Sequence, residues 1–135
     1  MKAVVDTNVI AYYALGTPEF DAEVREFWRR VEHPIAPALW ESELANVIWM
    51  SVRGDVLTEE DAPAKLRLAA RLGIHSVSIR KLWQGALQRA VESGVAVCDT
   101  LFVELADREQ LPLATFNKEV LTTYPDIAKR PKNLT

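Results

Sequence analysis

The 135-residue sequence predicts an α/β fold, a three-layer domain with a central, mostly parallel sheet flanked by helices, and three observations carry that class. Short apolar runs of strand length are spread along the chain, at Ala3–Val5, Ile35–Ala36, Ile74–Ile79 and Leu111–Thr115. Longer segments between them place apolar residues at helical spacing. No repeat, low-complexity stretch or linker-like segment interrupts the alternation, so residues 1–135 read as one domain. Strands that alternate with helices close as a central, mostly parallel sheet covered on both faces.

Taken in order, Ala3-Val4-Val5 reads as a buried strand ending at Asp6. From Thr7 the pairs Val9-Ile10 and Tyr13-Ala14 predict a short helix, stopped by Gly16-Thr17-Pro18. Phe20, Val24, Phe27-Trp28 and Val31 outline a second helix, and Ile35-Ala36 between prolines a second strand. A third helix runs over Leu39–Arg53 to Gly54, and Thr58 offers a cap for a fourth reaching Leu72-Gly73. Ile74–Ile79 alternates as a strand does. Amphipathic helices follow over Lys81–Ser93 and Cys98–Glu109, then a strand at Leu111–Thr115, a helix at Lys118–Tyr124 and a basic tail.

Hydrophobic residues make up 49% and charged residues 26%, the balance of a globular chain able to bury a core. The net charge of −3 argues against a general nucleic-acid binder, which carries a basic footprint. It leaves room for an enzyme that holds phosphates through metal ions. No apolar run is long enough to span a membrane and no signal-peptide layout opens the chain, so the expected location is cytoplasmic. The single cysteine, Cys98, excludes an internal disulfide framework and, in an apolar run, reads as a small core residue. For each of the four tryptophans, core burial is the first expectation, with a partner surface the second.

Most acids, Glu23, Glu26, Glu32, Glu59, Glu60 and Glu92 among them, read as solvated helix faces. Three stand elsewhere. Asp6 follows the first strand, where ligands collect in open α/β sheets, and equally suits a helix N-cap. Glu43 shares a helix face with Leu39, Trp40, Val47 and Met50, where a carboxylate is costly unless it meets a cation or an arginine such as Arg53. Asp99 lies on the side of Phe102, Val103 and Ala106, with Glu104, Asp107 and Arg108 on the polar side; first-turn capping is its alternative role. Converging carboxylates select hard cations such as Mg²⁺ or Mn²⁺, which promote phosphodiester cleavage. Two histidines without paired spacing and one cysteine make no zinc site, and no Gly-rich phosphate loop is present.

The same residues carry a family likeness. Val4-Val5-Asp6-Thr7-Asn8-Val9-Ile10 resembles the opening of PIN domains, and Ser42-Glu43-Leu44-Ala45-Asn46-Val47-Ile48 their second acidic motif. Cys98-Asp99-Thr100-Leu101-Phe102-Val103-Glu104-Leu105-Ala106 resembles the third, and Leu113-Ala114-Thr115-Phe116-Asn117 the fourth. The likeness covers essentially the whole chain, and the layout is similar to stand-alone PIN domains of the VapC toxin type. What the resemblance implies is an Mg²⁺- or Mn²⁺-dependent endoribonuclease, dimeric, held inactive by a cognate antitoxin and acting on RNA. Asp6, Glu43 and Asp99 would be its metal-binding acids and Asn117 a further catalytic position.

The fourth motif often ends in Asp, so Asn117 removes a negative charge that Glu119 or Asp107 could replace. Thr7 and Thr115 would orient carboxylates, with helix capping as the competing role; Lys118, Arg53 and Arg80 are candidates for holding RNA or ordinary surface charges, and Phe116 for stacking a base or packing in the core. Two other functions fit the same residues: a PIN-like binding module without strong catalysis, and a different Mg²⁺-dependent phosphohydrolase with Asp6 as nucleophile. The latter usually has a second acid where this chain has Asn8.

Overall fold

A computed structural model describes all 135 residues. Five parallel strands, β1 (Lys2–Val5), β2 (His33–Pro37), β3 (His75–Val77), β4 (Leu113–Ala114) and β5 (Ala128–Lys129), form one sheet in the order β3-β2-β1-β4-β5. The helices are α1 (Thr7–Leu15), α2 (Asp21–Arg30), α3 (Trp40–Arg53), α4 (Ala62–Ala70), α5 (Trp83–Ser93), α6 (Val97–Glu109) and α7 (Lys118–Thr123). The strand order reverses at β1, so right-handed crossovers put α1–α4 on one face and α5–α7 on the other. The packing agrees: α1 to α4 contact one another, whereas α5 and α6 form a hairpin with α6 laid on β1, β2 and β4.

The strongest apolar runs make the middle of the structure. Ala3, Val4 and Val5 of β1 are fully buried, as the centre of a sheet covered on both faces requires. On α6, residues Thr100 to Ala106 are all buried. Gly16, in the left-handed region at φ 65°, terminates α1. The predicted fourth helix begins later, because the Thr58 hydroxyl accepts from the Asp61 amide in a turn ahead of α4. The strand expected over Ile74–Ile79 is confined to His75–Val77, and a 3-10 turn follows at Ile79–Lys81. The basic tail is not a tail: it adds β5 and a 3-10 turn at Pro131–Asn133.

Several side chains depart from expectation. Glu104 is only 8% exposed, held by Arg89 at 2.9 Å and by Arg108, while Arg89 also binds Asp107 at 2.7 Å. The supposed polar side of α6 is thus a clamp between α5 and α6, and two guanidinium groups compensate the buried carboxylate. Glu23 likewise leaves the solvated class, because Arg130 binds both its oxygens. Cys98 is exposed, since it sits on the outer side of the first turn of α6. Trp40 is buried and donates to Ser76 Oγ at 2.8 Å, but Trp49 and Trp83 are about half exposed and each carries an arginine, Arg53 and Arg80, over its ring.

The Glu104 carboxylate rests on the bare backbone of Gly85 in α5, where a Cβ would come within 2.4 Å of it. Gly85→Ala gains about 1 kcal/mol of helix propensity but must displace a carboxylate pinned by two arginines, an overpacking cost of about 1–3 kcal/mol. The expected net result in urea unfolding is a loss of up to about 2 kcal/mol, relieved when Glu104 is also shortened to Ala. A Gly85→Ala protein more stable than the unaltered one by the full helix-propensity gain of about 1 kcal/mol would contradict the clamp.

Candidate active site

The end of β1 delivers Asp6 to the switch point between β1 and β4, where neighbouring connections leave on opposite faces and open a crevice. The Asp6 amide continues the sheet by donating to Ala114 O at 3.0 Å. Its side chain caps α1, accepting from the Thr7 amide at 2.7 Å, and accepts a second bond from Thr115 Oγ1 at 2.7 Å. The sequence left capping and site chemistry as alternatives, and the geometry shows the cap directly. The cap uses Oδ1; Oδ2 faces Thr115 and Asn8.

The other predicted residues arrive at helix starts. Glu43 lies in the first turn of α3 and accepts from Thr7 Oγ1 at 2.6 Å. Asp99 lies in the first turn of α6, and Asn117 is the N-cap of α7, accepting from the Val120 amide at 3.2 Å. Helix N-termini carry partial positive charge, which offsets some of the repulsion among acids placed there. Glu43 is half-buried and forms no ion pair; Arg53 stacks on Trp49 instead, and Met50, expected beside Glu43 in an apolar stripe, is exposed. None of Asp6, Glu43 and Asp99 takes part in a salt bridge.

The three acids lie within electrostatic reach of one another. Burial pushes Asp6 up to about 6, against the pull of its bonds to Thr115 and Thr7, and the charges of Asp99 and Glu43 push the same way. Burial also raises Glu43, opposed by the Thr7 hydroxyl and reinforced by Asp99. Asp99 is raised by burial and by Glu119, while the Asn117 side chain beside it lowers it. Glu119 is therefore within electrostatic reach of Asp99, whereas Asp107 is committed to Arg89. No three acidic, histidine or cysteine side chains are drawn into a finished metal cage. The donor set nonetheless suits a hard divalent cation: three oxygen-bearing acids that repel one another, with no basic partner, each with a hydrogen-bonding group that holds or offsets it.

Thr7 and Thr115, expected to orient carboxylates, donate hydrogen bonds to Glu43 and Asp6 respectively. Asn8 was missed in that role. Its Nδ2 stands 3.5 Å from Asp6 Oδ2 and its Oδ1 accepts from the Phe116 amide at 3.2 Å, tying α1 to the loop after β4. Sequence spacing gives no signal for a contact across 108 residues. Phe116 is no open stacking surface, because Tyr12, Phe20 and Arg130 pack around its ring. Lys118 is exposed next to Asn117.

An open parallel sheet with unpaired acids at its switch point belongs to a recognisable class, and the chain is a member of the PIN-domain family, whose model matches residues 3–125. Among characterised relatives, Ribonuclease VapC3 of Pyrobaculum aerophilum is 31% identical over 134 residues, covering 93% of this chain and 96% of that protein. The fold is similar to a chain of a toxin–antitoxin complex from Klebsiella pneumoniae, with a TM-score of 0.70 at 14% identity over 98% of this chain and 100% of that one. It also resembles a chain of VapBC2 from Rickettsia felis bound to a DNA fragment from the promoter, with a TM-score of 0.67 at 14% identity over 96% and 98%. No helix is long and apolar enough to cross a membrane.

Proposed function

We propose that the protein is a divalent-cation-dependent endoribonuclease, the toxin of a toxin–antitoxin pair, with Asp6, Glu43 and Asp99 holding Mg²⁺ or Mn²⁺. What supports the metal site is that three acids from chain segments far apart lie within electrostatic reach of one another and have no basic partner. The RNA substrate and antitoxin rest on the likeness to the VapC ribonuclease and to the toxin–antitoxin structures. A cation bound there supplies a Lewis acid that makes water a stronger nucleophile and offsets charge on a leaving oxygen. Thr115 and Thr7 hold the Asp6 and Glu43 oxygens in place, and Asn117 steadies Asp99 rather than adding a charge. Lys118, exposed next to Asn117, would be a candidate to meet substrate phosphate.

RNA cleavage by the purified protein is the test. Chelation by EDTA is expected to abolish it and added Mn²⁺ or Mg²⁺ to restore it. Because the acids must be deprotonated to bind the cation, metal affinity should fall as pH drops through about 6, the range to which Asp6 is raised. Cleavage that survives chelation would favour a reaction without a metal, and no cleavage under any divalent ion would favour the binding-module reading.

A further inference from the structure

The ten residues after the family match, 126–135, reach back to the loop that carries Thr115 and Asn117. Lys129 O accepts from the Thr115 amide at 3.0 Å, so β5 fixes the backbone of the residue whose hydroxyl holds Asp6. One residue on, the Arg130 guanidinium lies 4.7 Å from the centre of the Phe116 ring and 5.9 Å from that of Phe20. Phe20 stacks on Tyr12 at 4.3 Å, and Phe116 meets both rings. The guanidinium is held in that pose by Glu23 of α2, which accepts from Nη2 at 2.6 Å and Nε at 3.2 Å and takes the Lys132 amide at 3.1 Å as well.

This arrangement differs from a surface ion pair of negligible effect. The Glu23 carboxylate is largely shielded, and the bond is bidentate, which fixes the plane of the guanidinium as well as its position. Two of its bonding groups are taken by Glu23, while the planar group lies over aromatic rings; phosphate binding is therefore the poorer use of this side chain. Phe116 sits between Thr115, which bonds Asp6, and Asn117, which faces Asp99. Its own amide is anchored to Asn8. A ring clamped from one side and a backbone anchored from the other leave that loop little freedom.

We infer that Arg130, locked by Glu23, is a positioning residue: it clamps Phe116 so that Thr115 and Asn117 present Asp6 and Asp99 to the cation. The inference rests on the proposed metal-dependent activity for its purpose, and its test separates the two. Arg130→Ala and Arg130→Lys are compared with the unaltered protein, each verified as folded by circular dichroism. Lysine keeps the charge but neither the planar stack nor the bidentate bond, so it should not rescue the clamp.

Hydrogen exchange at the Asn117 amide, which bonds Thr115 Oγ1 at 3.0 Å, reports the loop without any metal. Its protection should fall about tenfold in both variants while that of Val4 in β1 holds. Calorimetric titration with Mn²⁺ should show Kd raised about tenfold, the scale for groups that orient metal ligands. Either readout remaining at the unaltered value in the folded variants overturns the inference, as would full rescue by lysine. If the unaltered protein binds no Mn²⁺, the proposed function fails, and Asn117 exchange still decides whether Arg130 clamps the loop.

Discussion

Asp6→Asn is expected to lower divalent-ion-dependent RNA cleavage on the order of 10²–10³-fold, the scale for removing one group that stabilises charge at a reacting centre. The substitution keeps the size of the side chain and an oxygen to cap α1, so the Thr7 amide retains its acceptor. It removes the negative charge at the centre of the acidic group, and hard-cation binding depends on that charge. Glu43→Gln and Asp99→Asn should act in the same direction, because each acid bears electrostatically on another of the three. Initial cleavage rates at fixed Mn²⁺ measure the loss. Rates within a factor of two of the unaltered enzyme in all three variants would remove these residues from the chemistry.

The same Asp6→Asn protein is expected to be the more stable one when no divalent ion is present. The sign follows from proton binding. Asp6 is raised from 3.8 to about 6 in the folded protein, so between those values the folded state binds more protons than the unfolded state. Stability then falls as pH rises through that window and stays lower above it. The shift corresponds to about 3 kcal/mol at pH 7 as an upper bound, which asparagine escapes. Urea unfolding in EDTA should show the variant and the unaltered protein nearly matched below pH 4 and separated at pH 7. Added Mn²⁺ should reverse the ranking, since only the unaltered protein gains from binding. A variant less stable than the unaltered protein at pH 7 in EDTA would mean that Asp6 serves the fold rather than the site.

A carboxylate set among apolar neighbours stands out in sequence as a conflict, and that is how Asp6, Glu43 and Asp99 are legible. Asp6 at the end of an apolar strand, and Glu43 and Asp99 among apolar helix neighbours, are anomalies of local pattern, and local pattern is what periodicity reads. The central strand and the long helices were equally plain, since Ala3–Val5 and the Thr100–Ala106 stretch are buried over their whole length. Pairings across long separations were not legible. Glu104 looked solvated because its arginines, 15 residues before and four after, converge only once α5 folds onto α6. Glu23 looked solvated because Arg130 lies 107 residues away. The two-residue strand β5 carries too short a pattern to separate from a basic tail. Cys98 and Trp83 were misplaced because each follows an apolar neighbour, Val97 or Leu82, that takes the inward direction instead.

The central claim is that Asp6, Glu43 and Asp99 share one divalent cation at the carboxyl end of β1. Crystals grown with Mn²⁺ and measured near the manganese absorption edge test it most directly. The account predicts an anomalous peak at coordination distance from an oxygen of each of the three acids, lost in Asp6→Asn crystals. Manganese seated elsewhere, or carboxylates that stay apart with no ion among them at saturating Mn²⁺, would contradict it.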